Sequence, residues 1–204
     1  MNRFKAVVFD FGGVIELNKN GSSVKYVADA LSIPVDELRK VYFQYNHLAN
    51  VHNMTYEDVM VKAVRTFDKS EATADRVREL MRSHKEGHTI NTNLFPLFSA
   101  LRRSGYKVAI LSNNRTDLRQ RLEKQHILPL VDEVVISVEI GHQKPDKEAF
   151  DAVFRKLGVR PEEVVFVDDI PKSLEKASEI GYHPILFSNN DQLRADLEKL
   201  GIWT

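Results

Sequence analysis

Apolar residues fall along this chain in two arrangements. Five short unbroken runs, rich in Val, Ile and Phe, occupy Ala6 to Phe9, Val108 to Leu111, Val134 to Val138, Val164 to Val167 and Pro184 to Phe187. Continuous runs of this length suit strands of a parallel sheet buried on both faces. Around them the period changes to that of a helix. Pro96 stands early in a segment where Leu97 and Leu101 recur at helical spacing before Gly105 stops it. Further helices are expected over Asp117 to Lys124, Asp146 to Leu157 and Lys172 to Ile180, with Gly158 and Gly181 closing the last two. Strand alternating with helix builds a doubly wound, Rossmann-like α/β sheet.

The interval after the first run is different. Ser22 to Lys85 carries several amphipathic helical stretches and no convincing strand. Val24, Val27, Ala28 and Leu31 make one stripe, and Val59, Val61, Ala63, Val64 and Phe67 a second, less regular one. The expected organisation is an α/β core formed by residues 1–16 and 91–204, with residues 17–90 inserted as a helical cap above the sheet. No internal repeat, low-complexity tract or Gly/Ser-rich linker interrupts it.

Composition narrows the chemistry. The 204 residues are 43% hydrophobic and 28% charged, ordinary for a globular chain that folds throughout. Basic and acidic residues balance at 29 each, so no net field favours nucleic acid or an anionic membrane. The absence of cysteine excludes a disulfide framework, a thiolate zinc site and a cysteine nucleophile, and fits a reducing cytoplasm. The apolar run that reaches Asp10 is too short for a signal peptide or a membrane span. The expectation is a cytoplasmic protein whose partner is a small molecule.

In open α/β sheets the ligand crevice lies outside the carboxyl ends of the strands. Four such ends carry suggestive residues: Asp10-Phe11-Gly12-Gly13, Ser112-Asn113-Asn114, Lys144-Pro145 in the loop after the third run, and Asp168-Asp169. Alone, each fragment reads as a cap, a turn or a solvated charge. Together, in this order, they resemble the haloacid dehalogenase superfamily, whose motifs are a nucleophilic Asp, a Ser or Thr, a Lys and an acidic pair. The resemblance spans the chain, including a helical insert after the first motif.

That resemblance implies a magnesium-dependent hydrolase of a small phosphorylated metabolite. Asp10 is then the nucleophile, and Ser112, Asn113 and Lys144 hold the phosphoryl group. Mg2+ falls to Asp10, Asp169 and the Gly12 carbonyl, with Asp168 acting through water or as a partner of the other ligands. The chemistry agrees: a carboxylate attacking a phosphate dianion needs fixed cations to offset like-charge repulsion. Magnesium prefers octahedral oxygen coordination by a few carboxylates, water and phosphate. No nucleic acid or membrane partner is implied, and the oligomeric state is left open.

The sequence departs from the family at Gly12, where phosphatase members carry a second Asp that protonates the leaving oxygen. Some members that resemble this chain, sugar-phosphate phosphatases among them, carry glycine there too. Two alternatives stand beside the phosphatase: a 2-haloacid dehalogenase with Asp10 attacking carbon and Arg39 in the insert, and a non-catalytic binding module. His47, His52, His84, His88, His126, His142 and His183 lack metal-ligand spacing and read as solvated or structural.

Overall fold

The computed structural model describes residues 3–203, which divide into two compact units, 3–16 with 90–203, and 17–89. The strands are β1 (Ala6–Phe9), β2 (Glu16–Asn18), β3 (His88–Ile90), β4 (Lys107–Ser112), β5 (Glu133–Ile136), β6 (Val164–Asp168) and β7 (His183–Leu186). Five of them form one sheet in the order β5-β4-β1-β6-β7, and every neighbouring pair is parallel. This is the Rossmann-like α/β sheet expected from the five apolar runs. The reversal of order at β1 is the topological switch point, where such sheets bind ligands.

The central strands are apolar on both sides because both sides are covered. Ala6 and Val8 of β1, Ala109 and Leu111 of β4, and Phe166 of β6 share one cluster with Phe150, Val153 and Phe154. On the opposite face Phe9 meets Phe98 with ring centroids 4.8 Å apart. Alternate side chains of one strand therefore enter two cores, and a run with no polar alternation is the result.

The helical unit holds α1 (Ser23–Leu31), α2 (Val35–Tyr45), α3 (His47–Asn50), α4 (Tyr56–Val64) and α5 (Glu71–Lys85). Side chains of Ser22, Thr55 and Ser70 cap α1, α4 and α5 by accepting from backbone N–H groups three residues on. Val24, Val27, Leu38, Met60, Val64, Val77 and Met81 are among the residues of its core. Phe67, expected on the second stripe, lies beyond the end of α4 and is exposed. β2 and β3 pair as a separate two-stranded sheet.

The α/β unit adds α6 (Leu94–Arg103), α7 (Asp117–Lys124), α8 (Ser137–Ile140), α9 (Lys147–Leu157), α10 (Pro171–Leu174), α11 (Ala177–Ile180) and α12 (Asn190–Lys199). Two expectations need correction. The third run ends as a strand at Ile136, and Val138 belongs to α8, because a short apolar run cannot distinguish a buried strand from a buried turn of helix. The helix expected over Lys172 to Ile180 is two four-residue pieces, α10 and α11. Among the described residues, no helix is long and apolar enough to cross a membrane.

Candidate active site

Parallel register brings the motif residues together. Phe9 aligns with Ile110 on one side and Val167 on the other, so Asp10 emerges beside Asp168, with Ser112 at the end of the neighbouring strand. Asp10 and Ser112 are buried, and Asp168 is fully so. Asp10 Oδ1 accepts the Phe11 N–H at 2.7 Å, which fixes the carboxylate at the turn leaving β1.

Lys144 arrives from the loop after α8 and is itself buried. Asn113 holds its backbone from both sides: Asn113 Oδ1 accepts the Lys144 N–H at 2.7 Å, and Asn113 Nδ2 donates to the Lys144 carbonyl at 3.0 Å. The Lys144 ammonium then spans two carboxylates, Asp10 Oδ1 at 2.9 Å and Asp168 Oδ2 at 2.6 Å. Asp168 Oδ1 accepts the Ile170 N–H at 2.8 Å, so both of its oxygens are engaged by the protein. Of the acidic pair, Asp168 therefore orients the lysine. The side chain of Asn113 thus positions Lys144.

Asp169 contrasts with its neighbour. Its Oδ1 is buried and has no hydrogen-bond partner, an arrangement that costs free energy unless a cation or donor is bound there. Asp10, Asp168 and Asp169 each offer an oxygen within 4.8 Å of the others. They are the one such group of three His, Cys, Asp or Glu residues among those described. A hard divalent ion fits this all-oxygen donor set. Gly13 makes the arrangement possible: a Cβ there would lie 2.2 Å from the Asp169 carboxylate, and its φ of +77° suits glycine. Sequence reasoning passed over Gly13, although a Gly-Gly pair directly after a strand-end aspartate was the available signal. A Cβ at Gly12 would meet nothing within 4 Å.

Crowding of buried carboxyls shifts their titration. Burial pushes the Asp10 carboxyl up to about 7, against the attraction of Lys144 and with added repulsion from Asp168 and Asp169. Asp169 is pushed up to about 6, by burial first and the Asp168 charge second. Burial draws the Lys144 ammonium down, but Asp10 and Asp168 more than offset this and hold its pKa above the ordinary lysine value. In the helical unit, Arg39 pairs locally with Asp36 at 2.6 Å and both side chains are largely exposed.

Known proteins bear on this geometry in three ways. A family model for haloacid dehalogenase-like hydrolases matches residues 4–181. A phosphatase of Mycobacterium tuberculosis, MT3486, is 29% identical over 96% of this chain and 94% of its own length. A bifunctional epoxide hydrolase 2 of Sus scrofa is 24% identical, and this chain spans 38% of its length. In fold, the chain resembles a Bacteroides thetaiotaomicron enzyme solved with magnesium and inorganic phosphate. That likeness has a TM-score of 0.59 at 19% identity, over 91% of this chain and 94% of the other.

Proposed function

The chain belongs to the haloacid dehalogenase-like hydrolases, and from that premise we propose that it is a magnesium-dependent phosphatase acting on a small phosphorylated metabolite. The observation that carries this reading is the contrast within the acidic pair: Asp168 spends both oxygens on Lys144 and Ile170, while Asp169 keeps a buried oxygen with no partner. A reaction at carbon that expels a halide has no need of that extra carboxylate. A metal-assisted attack on phosphorus does.

In this reading Asp10 Oδ1 stays with Lys144 and Phe11, and Oδ2 attacks phosphorus. The bond from oxygen to phosphorus forms as the bond to the leaving oxygen breaks, and the leaving group takes up a proton from solvent water. Water then attacks the aspartyl phosphate, releasing inorganic phosphate and restoring the carboxylate. Lys144 neutralises part of the phosphoryl charge, and the Ser112 hydroxyl and nearby backbone N–H groups donate to its equatorial oxygens. Asp10, Asp169 and the Gly12 carbonyl would hold Mg2+, whose charge would offset the negative charge of the phosphoryl group and of the neighbouring carboxylates. The helical unit serves as the cap that selects the substrate.

The test is a screen of phosphate esters and 2-haloacids with magnesium and with excess chelator, joined to calorimetry of magnesium on Asp169→Ala. We expect ester hydrolysis that chelation abolishes. Asp169→Ala should weaken magnesium binding by more than the ~10–100-fold that loss of an outer partner costs. Equal magnesium affinity in variant and wild type would refute the metal assignment, and chelator-resistant haloacid turnover would favour the dehalogenase.

A further inference from the structure

Beyond the four motifs, one guanidinium touches both ends of the loop that follows the nucleophile. That loop, residues 11–16, closes on itself. The Phe11 carbonyl accepts the Ile15 N–H at 2.9 Å and the Glu16 N–H at 2.7 Å, and the Glu16 carbonyl accepts the Gly13 N–H at 2.8 Å. Arg121, on α7, forms an ion pair with the Glu16 carboxylate through Nη2. The Arg121 Cζ also lies 5.2 Å from the centre of the Phe11 ring, within cation–π range. The pair is shielded, with the Glu16 side chain 15% and the Arg121 side chain 33% exposed. Most other ion pairs of the chain lie between more exposed groups, where solvent takes most of their value.

The placement is what gives the pair a role. α7 begins five residues after Ser112, and the loop begins one residue after Asp10. We infer that Arg121 and Glu16 are positioning residues: they lock the Gly12-Gly13 turn and the nucleophile in register with the strand end that presents Ser112. This inference rests on the reading of Asp10 as nucleophile and Ser112 as a phosphoryl contact. Attack on phosphorus needs the nucleophile and the held phosphoryl group within a few tenths of an ångström of one geometry, and a shift of ~1 Å can cost ~10²-fold in rate. The same turn backs the Asp169 carboxylate through Gly13. Arginine suits the task because its flat face covers a ring while its edge donates to a carboxylate, and lysine offers one point charge.

The experiment uses the full chain with Glu16→Gln, Arg121→Gln, Arg121→Lys and the exchanged pair Glu16→Arg with Arg121→Glu. Each is measured for kcat and KM on p-nitrophenyl phosphate with magnesium, and for hydrogen exchange of residues 10–16. In Glu16→Gln and Arg121→Gln we expect kcat to fall ~10–10²-fold with KM changed less than ~3-fold. Exchange should rise at least ~10-fold in residues 10–16 and stay unchanged in β4 and β6. Arg121→Lys should lie between these and wild type, and the exchanged pair should recover part of kcat. Unchanged kcat and unchanged loop exchange in folded variants would overturn the inference. So would a loss of kcat that only tracks the loss of folded protein. Should wild type hydrolyse no phosphate ester, the functional reading fails while the exchange measurements still judge the clamp.

Discussion

The two units keep their charges in different places. Among the described residues of the α/β unit, Asp10, Lys144, Glu163 and Asp168 are buried, whereas the helical unit buries no Asp, Glu, Lys or Arg. Its ion pairs, such as Lys25 with Asp29 and Arg76 with Glu79, lie on the surface. Its interior is Val, Ala, Leu and Met. Desolvating ions costs free energy that their mutual attraction recovers only with good geometry. One unit is thus built around a cluster of charges it must compensate, and the other mainly around apolar packing, with His84 and Asn50 its buried polar side chains. Substitutions that hardly disturb the first unit's fold should end its chemistry, and substitutions in the second should act through stability.

The largest effect sharpens that contrast at the nucleophile. Asp10→Asn should lower turnover at least ~10⁴-fold, with thermal stability equal to wild type or higher, because burial already favours a neutral group there and Lys144 keeps Asp168 as its partner. Near-normal turnover from pure variant would remove Asp10 from the mechanism. Next comes the leaving group, since general acid catalysis contributes ~10²–10⁴-fold and Gly12 has no acid to give. Across esters of graded leaving-group pKa the rate of Asp10 phosphorylation should fall steeply as that pKa rises. Gly12→Asp should flatten the slope, because a Cβ there meets nothing within 4 Å. A flat dependence in wild type would mean that another group donates the proton.

The helical unit supplies the converse. Leu38 is fully buried in its core, and Leu38→Ala should cost ~2–5 kcal/mol of stability, read by denaturant titration. Hydrogen exchange should rise in α1, α2, α4 and α5 before it rises in β1, β4 and β6. A uniform rise would make the two units one cooperative body and break the comparison.

Acidity should move the units in opposite directions, with a smaller effect. In metal-free protein Asp10 titrates near 7 and Asp169 near 6, above the ordinary value of 3.8. They contribute stability in full below about 3.8 and lose it as pH rises through 6 and 7. His84 behaves oppositely. Burial lowers its pKa from 6.5, a carbonyl bond to Gly21 opposes this, and nearby His88 adds to the lowering. Its contribution is present above 6.5 and lost as pH falls through the lower folded value. Its Nε2 lies 2.8 Å from the Gly21 carbonyl and its Nδ1 3.3 Å from Asn18 Nδ2, so a second ring proton ends the Asn18 bond. Exchange measured unit by unit at pH 5 and pH 8 checks both signs, and movement in one direction would contradict this account. The smallest effect belongs to Arg39→Ala, which should change stability by at most ~1 kcal/mol and leave kcat within ~2-fold. A large loss of kcat would instead place Arg39 against substrate and revive the dehalogenase.

Most of the sheet was legible because both-face burial leaves an unbroken apolar run, and five such runs became its five strands. What escaped had weaker signatures. β2 and β3 are three residues each, and α12 has Leu193 and Leu197 as its only buried residues in a polar stretch. At the site, residue types in chain order pointed to Asp10, Ser112, Lys144 and the acidic pair. The resemblance implied Asp169 for the metal and Asp168 in support, but residue types could not say why the two differ, since that depends on where Ile170 and Lys144 place their donors. Nor could they reveal that Asn113 grips Lys144, or that Glu16 meets Arg121 across 105 residues, because each is an ordinary polar residue until the fold closes.

The junction between the units has one more consequence. On the side of the α/β unit, the Asn91 N–H donates to the Ile15 carbonyl at 2.8 Å, and on the other side the Lys19 N–H donates to the Gly87 carbonyl at 3.1 Å. The ends of the inserted segment are therefore neighbours on both sides of the junction. Replacing the residues between Lys19 and Gly87 with a four-residue turn keeps Glu16 and shortens a loop of some 67 residues, which lowers its closure cost by about 2–3 kcal/mol. The helical segment should therefore be exchangeable at a doorway already shut by backbone hydrogen bonds, leaving the aspartates where β1 and β6 put them.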